Sequence, residues 1–346
     1  MLFTIRKKAL ILWIALLAAG MAACESLPDL PRPADTVGGL LQQTEAPSIA
    51  VPATVIASGV PASTPAAEIL PTSTETPIPS PTPLEAIHFA VIGDYGLGTQ
   101  PELDVANLVK SWNPEFIITV GDNNHPIGAA ETIDQRIGEY YHEYIYPYRG
   151  AYGEGAERNR FFPTLGNHDY DSVNGQPYMD YFELPGNERY YDFSWGPVYF
   201  LALDSDSRTP DGVSQVSTQA KWAQSHLAEA AQPWKVVYFH ASPYSSGIHG
   251  PVDWMQWPFA DWGASTVLAG HNHVYERLEI GGIPYFTHGV GGGPIYDFVV
   301  ISEGSQFRYN DDYGAMLVTA DARQMLIQFF TRNGELIDSH LLAKSE

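Results

Sequence analysis

From residue 87 onward, short runs of β-branched and aromatic residues recur along the chain. Many end in glycine followed by aspartate, asparagine or histidine. The runs at 87–92, 116–120, 161–165, 198–203, 236–239, 266–269 and 283–287 predict strands, and two more fall at 314–319 and 324–331. Helical patterns at 102–111, 131–144 and 218–230 lie between them. Strands separated by helices predict parallel pairing, whereas the later strands follow one another directly and predict antiparallel pairing. The expected fold class is therefore α/β in the form of an α+β sandwich, with two mixed β-sheets flanked by helices.

The first 84 residues have a different texture. Arg6, Lys7 and Lys8 precede an unbroken apolar run over 9–19, the shape of a secretory signal and too short for a comfortable membrane span. The run leads to Met21-Ala22-Ala23-Cys24, which resembles the lipobox of bacterial lipoproteins. Residues 1–23 are expected to be a lipoprotein signal peptide, and Cys24, the one cysteine of the chain, is expected to carry the lipid. A single cysteine excludes an intrachain disulfide framework. Residues 24–84 are dense in Pro, Thr, Ser and Ala without amphipathic period, so they are expected to form a disordered tether. One folded domain is expected over 85–346. The protein is then expected outside the cytoplasm, anchored to the cell membrane or secreted.

Charge narrows the functional classes. Eighteen Lys and Arg against 40 Asp and Glu give a net charge of −22, with no basic cluster beyond residues 6–8. No nucleic-acid groove is evident in such a chain. Acidity does not exclude an anionic substrate, because bound multivalent cations invert the field around a site.

Candidate chemistry sits in four segments: Gly93-Asp94-Tyr95-Gly96, Gly121-Asp122-Asn123-Asn124-His125, Gly166-Asn167-His168-Asp169 and Gly270-His271-Asn272-His273. Each follows a strand-like run, as does His240. Loops after strand C-termini converge on one rim in α/β architectures, so these segments can bring carboxylate, amide and imidazole ligands together. Such donors suit a polynuclear metal site and hydrolysis. The flanking glycines allow close backbone approach. His-x-His at a strand end is expected to send its two imidazoles to opposite sides.

The order of these segments resembles the calcineurin-like metallophosphoesterases and, within them, the purple acid phosphatases. The stretch His271-Asn272-His273-Val274-Tyr275-Glu276-Arg277 is close to that branch's signature. The resemblance implies two metal ions (Fe, Zn or Mn). Asp94, Asp122, the residue at 125 and His273 would hold one. Asp122, Asn167, His240 and His271 would hold the other, with Asp122 bridging. It further implies hydrolysis of a phosphate ester by metal-activated hydroxide, most readily a phosphomonoester as in acid phosphatases. A phosphodiesterase or nucleotide pyrophosphatase is the alternative on the same metals, and a non-catalytic surface binding module comes third. His168 and His249 are the candidates to protonate the leaving oxygen. Asp169 is expected to orient His168 or a neighbouring ligand. The chain departs from the branch at His125, where purple acid phosphatases carry tyrosine. Imidazole suits Zn, Fe(II), Mn or Ni better than a ferric ion, so a colourless enzyme is expected.

Overall fold

The computed structural model describes residues 86–344. The signal segment, Cys24 and the tether expected over 1–84 lie outside the described residues. In chain order the strands are β1 (Ile87–Ile92), β2 (Phe116–Thr119), β3 (Phe161–Pro163), β4 (Tyr191–Trp195), β5 (Val198–Ala202), β6 (Trp234–Ala241), β7 (Thr266–Gly270), β8 (Tyr275–Ile280), β9 (Ile283–His288), β10 (Ser305–Tyr309), β11 (Gly314–Ala320), β12 (Gln324–Thr331) and β13 (Leu336–Ala343). The α-helices are α1 (Gln100–Ser111), α2 (Ala130–Ile133), α3 (Glu139–Tyr141), α4 (Asn167–Tyr170), α5 (Gln176–Tyr181) and α6 (Thr218–Glu229).

Two mixed sheets result, as the sequence pattern predicts. The first has the order β13-β12-β11-β1-β2-β3 and the second β10-β8-β9-β7-β6-β5-β4. β1, β2 and β3 are parallel, and so are β5, β6, β7 and β9. The remaining pairings are antiparallel.

Side-chain alternation explains why the central strands read as unbroken apolar runs. Val198, Phe200 and Ala202 of β5 enter the core shared by the two sheets. Tyr199 and Leu201 join a second cluster with Ala220, Ala223 and Leu227 of α6. A strand covered on both faces needs apolar residues at every position. Phe200 meets Phe89 of β1 edge-on at 5.1 Å and Phe116 of β2 at 5.2 Å, which fastens one sheet to the other. α6 begins at Ser217, whose Oγ accepts the Ala220 N–H.

The single helix expected over 131–144 is broken instead. α2 passes into a π-helical turn, Asp134–Gly138, before α3 and a final 3-10 turn, His142–Tyr144. The wider turn accommodates the Asp134 carboxylate, which accepts from Tyr148 Oη (2.7 Å), Tyr181 Oη (2.8 Å) and the Ala151 N–H (2.8 Å).

Candidate metal centre

The loops after β1, β2, β3 and β7 and the end of β6 meet on one rim. Asp94 and Asp122 both adopt left-handed backbone, with φ of 54° and 53°, and His271 does so at 70°. Such conformations cost energy for residues with a Cβ and persist where the surroundings enforce them. Here the loops hold one another: Asp94 N–H donates to Gly121 O (3.0 Å) and Tyr95 N–H to Asp122 O (3.1 Å). Glycine is required at two contacts. A Cβ on Gly166 would overlap the Asp122 carboxylate, and one on Gly270 would lie 2.5 Å from Asp94 Oδ2.

All seven expected ligands come together. Asp122 Oδ2 lies 3.2 Å from His240 Nε2, which is 3.1 Å from Asn167 Oδ1. Asp94 Oδ1 lies 3.2 Å from His273 Nε2. The Nδ1 atoms of His240 and His273 face the carbonyls of Val120 (2.9 Å) and Pro294 (2.6 Å). A carbonyl only accepts, so both Nδ1 atoms carry hydrogen and the Nε2 atoms point into the site. The His271 ring is 5.1 Å from that of His240, and the His125 ring 6.1 Å from that of His273. Ligand atoms of Asp122, His125 and His273 lie within 4.8 Å of one another, as do those of Asp94, Asp122 and His240. Asp122 belongs to both groups, and Asp94 reaches towards both, through His273 and through His240.

Two details depart from the sequence reading. His240 is not beyond its strand but inside β6, where the pairing with β7 shifts register between Tyr238 and Ala241. That irregularity lies at His240, whose Nε2 meets Asp122 and Asn167. His271 and His273 do diverge, but not through strand alternation: β7 ends at Gly270, and the left-handed His271 redirects the chain.

Burial opposes charge throughout this cluster, yet the two carboxylates remain acidic. Burial pushes the Asp94 carboxyl up, but His273 and His240 outweigh it and hold it below the usual range. Burial likewise raises Asp122, and His240, His125 and His168 drive it far down. Burial and neighbouring imidazoles push His125 and His271 down to about 4 against the partial pull of the carboxylates. Ionised Asp94 and Asp122 beside neutral His125 and His271 are protonation states a cation requires. Against burial, the carboxylates push His240 up to about 10 and raise His273, so those two imidazoles give up a proton when a cation binds.

His168 and His249 flank this cluster at different points. The His168 ring lies 4.3 Å from that of His125, with Nε2 4.0 Å from Asp122 Oδ2. Its backbone N–H donates to Asp122 Oδ1 at 2.9 Å and its Nδ1–H to Pro126 O. The exposed His249 ring stacks on that of His271 at 4.7 Å. Asp169 does not touch His168 among the described residues. Its oxygens accept from the Gly166 N–H and from both N–H groups of Asn123, beside Asp122. Its work is on the ligand loops.

Several residues of the site were given no role by the sequence reading, although Asn123 and Asn272 lie inside two of its segments. Buried Asn123 accepts from Tyr95 Oη and Thr119 Oγ1 and donates to Thr164 O as well as Asp169, so one amide ties three ligand loops. Asn272 accepts the His249 N–H and donates to Gly250 O. Arg208 forks onto Asp206, reaches Asp171 and donates to Asn167 O at 2.9 Å. Tyr296 stacks on His273 at 4.2 Å. Spacing within an asparagine-rich turn could have raised Asn123. Nothing local singles out Tyr296 or Arg208.

Comparison with known proteins decides the family. The model of the calcineurin-like phosphoesterase family matches residues 87–275, more than half of the chain. The chain belongs to the calcineurin-like phosphoesterase family. It is 25% identical over 260 residues to mouse tartrate-resistant acid phosphatase type 5, covering 64% of this chain and 76% of that one. Human acid phosphatase type 7 is 24% identical over 237 residues, 60% of this chain and 48% of its own length. The structure of purple acid phosphatase PPD1 from yellow lupin seeds shares the fold with a TM-score of 0.63 at 18% identity, covering 76% of this chain and 55% of that chain. GAP50, described as the anchor in the inner membrane complex of Plasmodium, shares it at a TM-score of 0.58 and 18% identity, over 75% of this chain and 90% of that one.

The residues of this phosphoesterase fit metal ions. His125 Nε2 is buried without a hydrogen-bond partner, in a group with the Asp122 carboxylate and a second imidazole. A buried nitrogen left unsatisfied there is costly unless a ligand engages it.

A further buried acid supports the Asp94 loop. Glu102 Oε2 accepts from the N–H groups of Leu97 (2.8 Å) and Gly98 (2.6 Å), while Oε1 has no partner. Burial pushes this carboxyl up to about 7, against those two bonds and the Arg136 charge. A raised carboxyl pKa favours the folded state below pH ~4.5, and that contribution is lost as pH rises towards 7. Each pKa unit is worth 1.36 kcal/mol, so the buried charge costs about 3 kcal/mol above pH 7. Glu102→Gln keeps an acceptor for both N–H groups and removes the charge. It is expected to raise the thermal midpoint by roughly 6–10 °C at pH 8 and to leave it unchanged at pH 4.5. Equal effects at the two pH values would contradict this account.

Proposed function

We propose that this phosphoesterase is a binuclear metal-dependent phosphomonoesterase, acid phosphatase-like, that acts outside the cytoplasm and is held at the cell membrane through a lipid on Cys24. One observation carries the binuclear reading: Asp122 lies in both groups of ligand atoms. Asp94, Asp122, Asn167 and the imidazoles of His125, His240, His271 and His273 hold the pair. Bound there, two cations supply positive charge for phosphate oxygens and acidify water. The chain's own part is to fix those donors, to exclude competing charge and to pass a proton. His168 and His249 are the groups at the rim able to give one to the leaving oxygen. Arg208 and Asn123 keep Asn167 and Asp122 in place.

The fold alone does not establish catalysis, since GAP50 carries it and is described as an anchor. The complete donor set favours an enzyme over a surface binding module. Elemental analysis together with turnover of p-nitrophenyl phosphate and its bis-ester tests the proposal. Two metals per chain and preference for the monoester are expected. Preference for the diester would favour the phosphodiesterase or pyrophosphatase reading, and no hydrolysis of either would favour the binding module.

The imidazole at 125 leads to a spectroscopic prediction. With histidine in place of a phenolate donor, the metallated protein is expected to be colourless and to hold Zn, Mn or Fe(II). His125→Tyr, reconstituted with iron, is expected to gain a visible charge-transfer band. A strong band in the unsubstituted protein would refute the assignment.

A further inference from the structure

An exposed apolar rim begins where the site ends. Tyr296, stacked on His273, meets His249 edge-on at 5.4 Å. The segment after Tyr296 lies beside the segment before His249. Gly247 and Phe298 pair as an antiparallel bridge, the Val299 N–H donates to Ser246 O at 2.9 Å, and the Ser302 N–H to Ser246 Oγ at 2.9 Å. Beneath them Glu276 accepts from Ser246 Oγ and from its N–H, which fixes the pair of segments. On this framework Ile248 is 46% exposed, Val299 59%, Val300 75% and Ile301 55%. Ile248 and Val299 are diagonal neighbours across the bridge and share a face. Four large aliphatic side chains left in water beside a polar, charge-lined site call for an apolar occupant.

Resting on the phosphoesterase reading, we infer that this rim is the subsite for the organic part of the substrate, and that it takes esters of an extended alkyl alcohol. The phosphate lies among the ligands, and Tyr296 and His249 form the threshold. The alkyl chain runs over Ile248 and Val299 towards Ile301. Exposed Asp297 is the one charged residue between Tyr296 and Ile301, and the exposed aliphatic side chains around it suit methylenes better than a sugar or a nucleoside. The neighbouring polar groups, Ser246, Ser302 and Glu276, are occupied with one another.

The test uses the metal-loaded full chain and two series, n-alkyl phosphates from ethyl to octyl for hydrolysis and the matching alkylphosphonates for calorimetric binding. Phosphonate affinity is expected to rise about twofold per methylene, half of what full burial would give, and by at least about tenfold over the series. Val299→Ser with Ile301→Ser is expected to flatten that rise while leaving affinity for inorganic phosphate and ethylphosphonate unchanged. A flat series in the unsubstituted protein overturns the inference, as does a slope that survives the double substitution. Binding to phosphatidylcholine vesicles that is lost in the double variant, together with a flat series, assigns the rim to a membrane surface instead. If phosphonates bind with the expected slope but no ester is cleaved, the subsite stands and the catalytic reading fails.

Discussion

Asp122→Asn is expected to abolish binding of both metal ions and to lower kcat/KM by on the order of 10³-fold or more. The substitution keeps the shape of the side chain and removes its charge. Asn Oδ1 can still accept the His168 N–H, which Asp122 Oδ1 takes at 2.9 Å, so the β3 loop keeps its anchor. What disappears is the anion that both groups of ligand atoms share. A cation pair supplies several kcal/mol of transition-state stabilisation, and each 1.36 kcal/mol is a factor of ten in rate. The loss reaches beyond the metals. Burial disfavours the charged form of His240, and Asp122 is the strongest influence restoring it. Without that carboxylate the imidazole turns neutral at a higher proton concentration, and the metal-free protein titrates differently. Elemental analysis, steady-state kinetics and a thermal melt check the expectation together. A folded variant that retains two metals and near-normal turnover would refute the proposal that Asp122 is shared by two metal ions.

The core of the fold was legible because the central strands are covered on both faces. β1, β2, β5, β6, β7 and β9 therefore show as β-branched and aromatic runs. β4, β8, β10 and β13 were not anticipated. Three of these are sheet edges: β4 and β10 close the second sheet and β13 the first. Edge strands are marked by charge and polarity rather than by apolar runs, as Ser305–Tyr309 illustrates with alternating half-buried and exposed positions. β8 carries Glu276 and Arg277 within it. Their partners, Ser246 and Asp338, come from distant segments, so the local pattern reads as a loop. The helix over 131–144 failed for a related reason: the Asp134 carboxylate binds tyrosines and backbone far along the chain and opens the turn.

The residues proposed as ligands were legible because their chemistry is local. Each is a donor type that a turn after a strand can present, and their order along the chain carries the resemblance. The residues that support them were not legible. Asn123 acts through Tyr95, Thr164 and Asp169, and Tyr296 through stacking on His273. Those relations exist only once the loops have met. Asp169 lies between the two cases. The motif flagged it, but its partners are Gly166 and Asn123 rather than His168. Burial and the Asp122 charge raise its carboxyl to about 6, against the hydrogen bonds it accepts. A structural carboxylate beneath a ligand loop is thus placed where loss of its charge would loosen Asn123, and with it the turn that carries Asp122.

The second large effect is expected at His168. His168→Asn is expected to lower turnover by about 10²–10⁴-fold, the range of a general acid, while metal content stays unchanged. Geometry separates the two functions of this residue. Its backbone N–H holds Asp122 Oδ1 and survives the substitution, whereas the ring, a third exposed and beside His125, is the part proposed to meet the leaving oxygen. Leaving-group dependence distinguishes proton donation from simple phosphate binding. If the ring protonates the departing oxygen, the loss is largest for an alkyl phosphate, whose alkoxide leaves poorly, and smallest for p-nitrophenyl phosphate, which needs little help. If the ring only binds phosphate, both esters suffer equally and KM rises. The same pair of substrates on His249→Asn decides between the two histidines, because the one that donates is the one whose loss depends on the leaving group. His249 stacks on His271 rather than lying near Asp122, so its removal is expected to act on substrate binding and to cost the two esters alike. Metal loss on His168→Asn, or an equal penalty for both esters, would end the general-acid assignment.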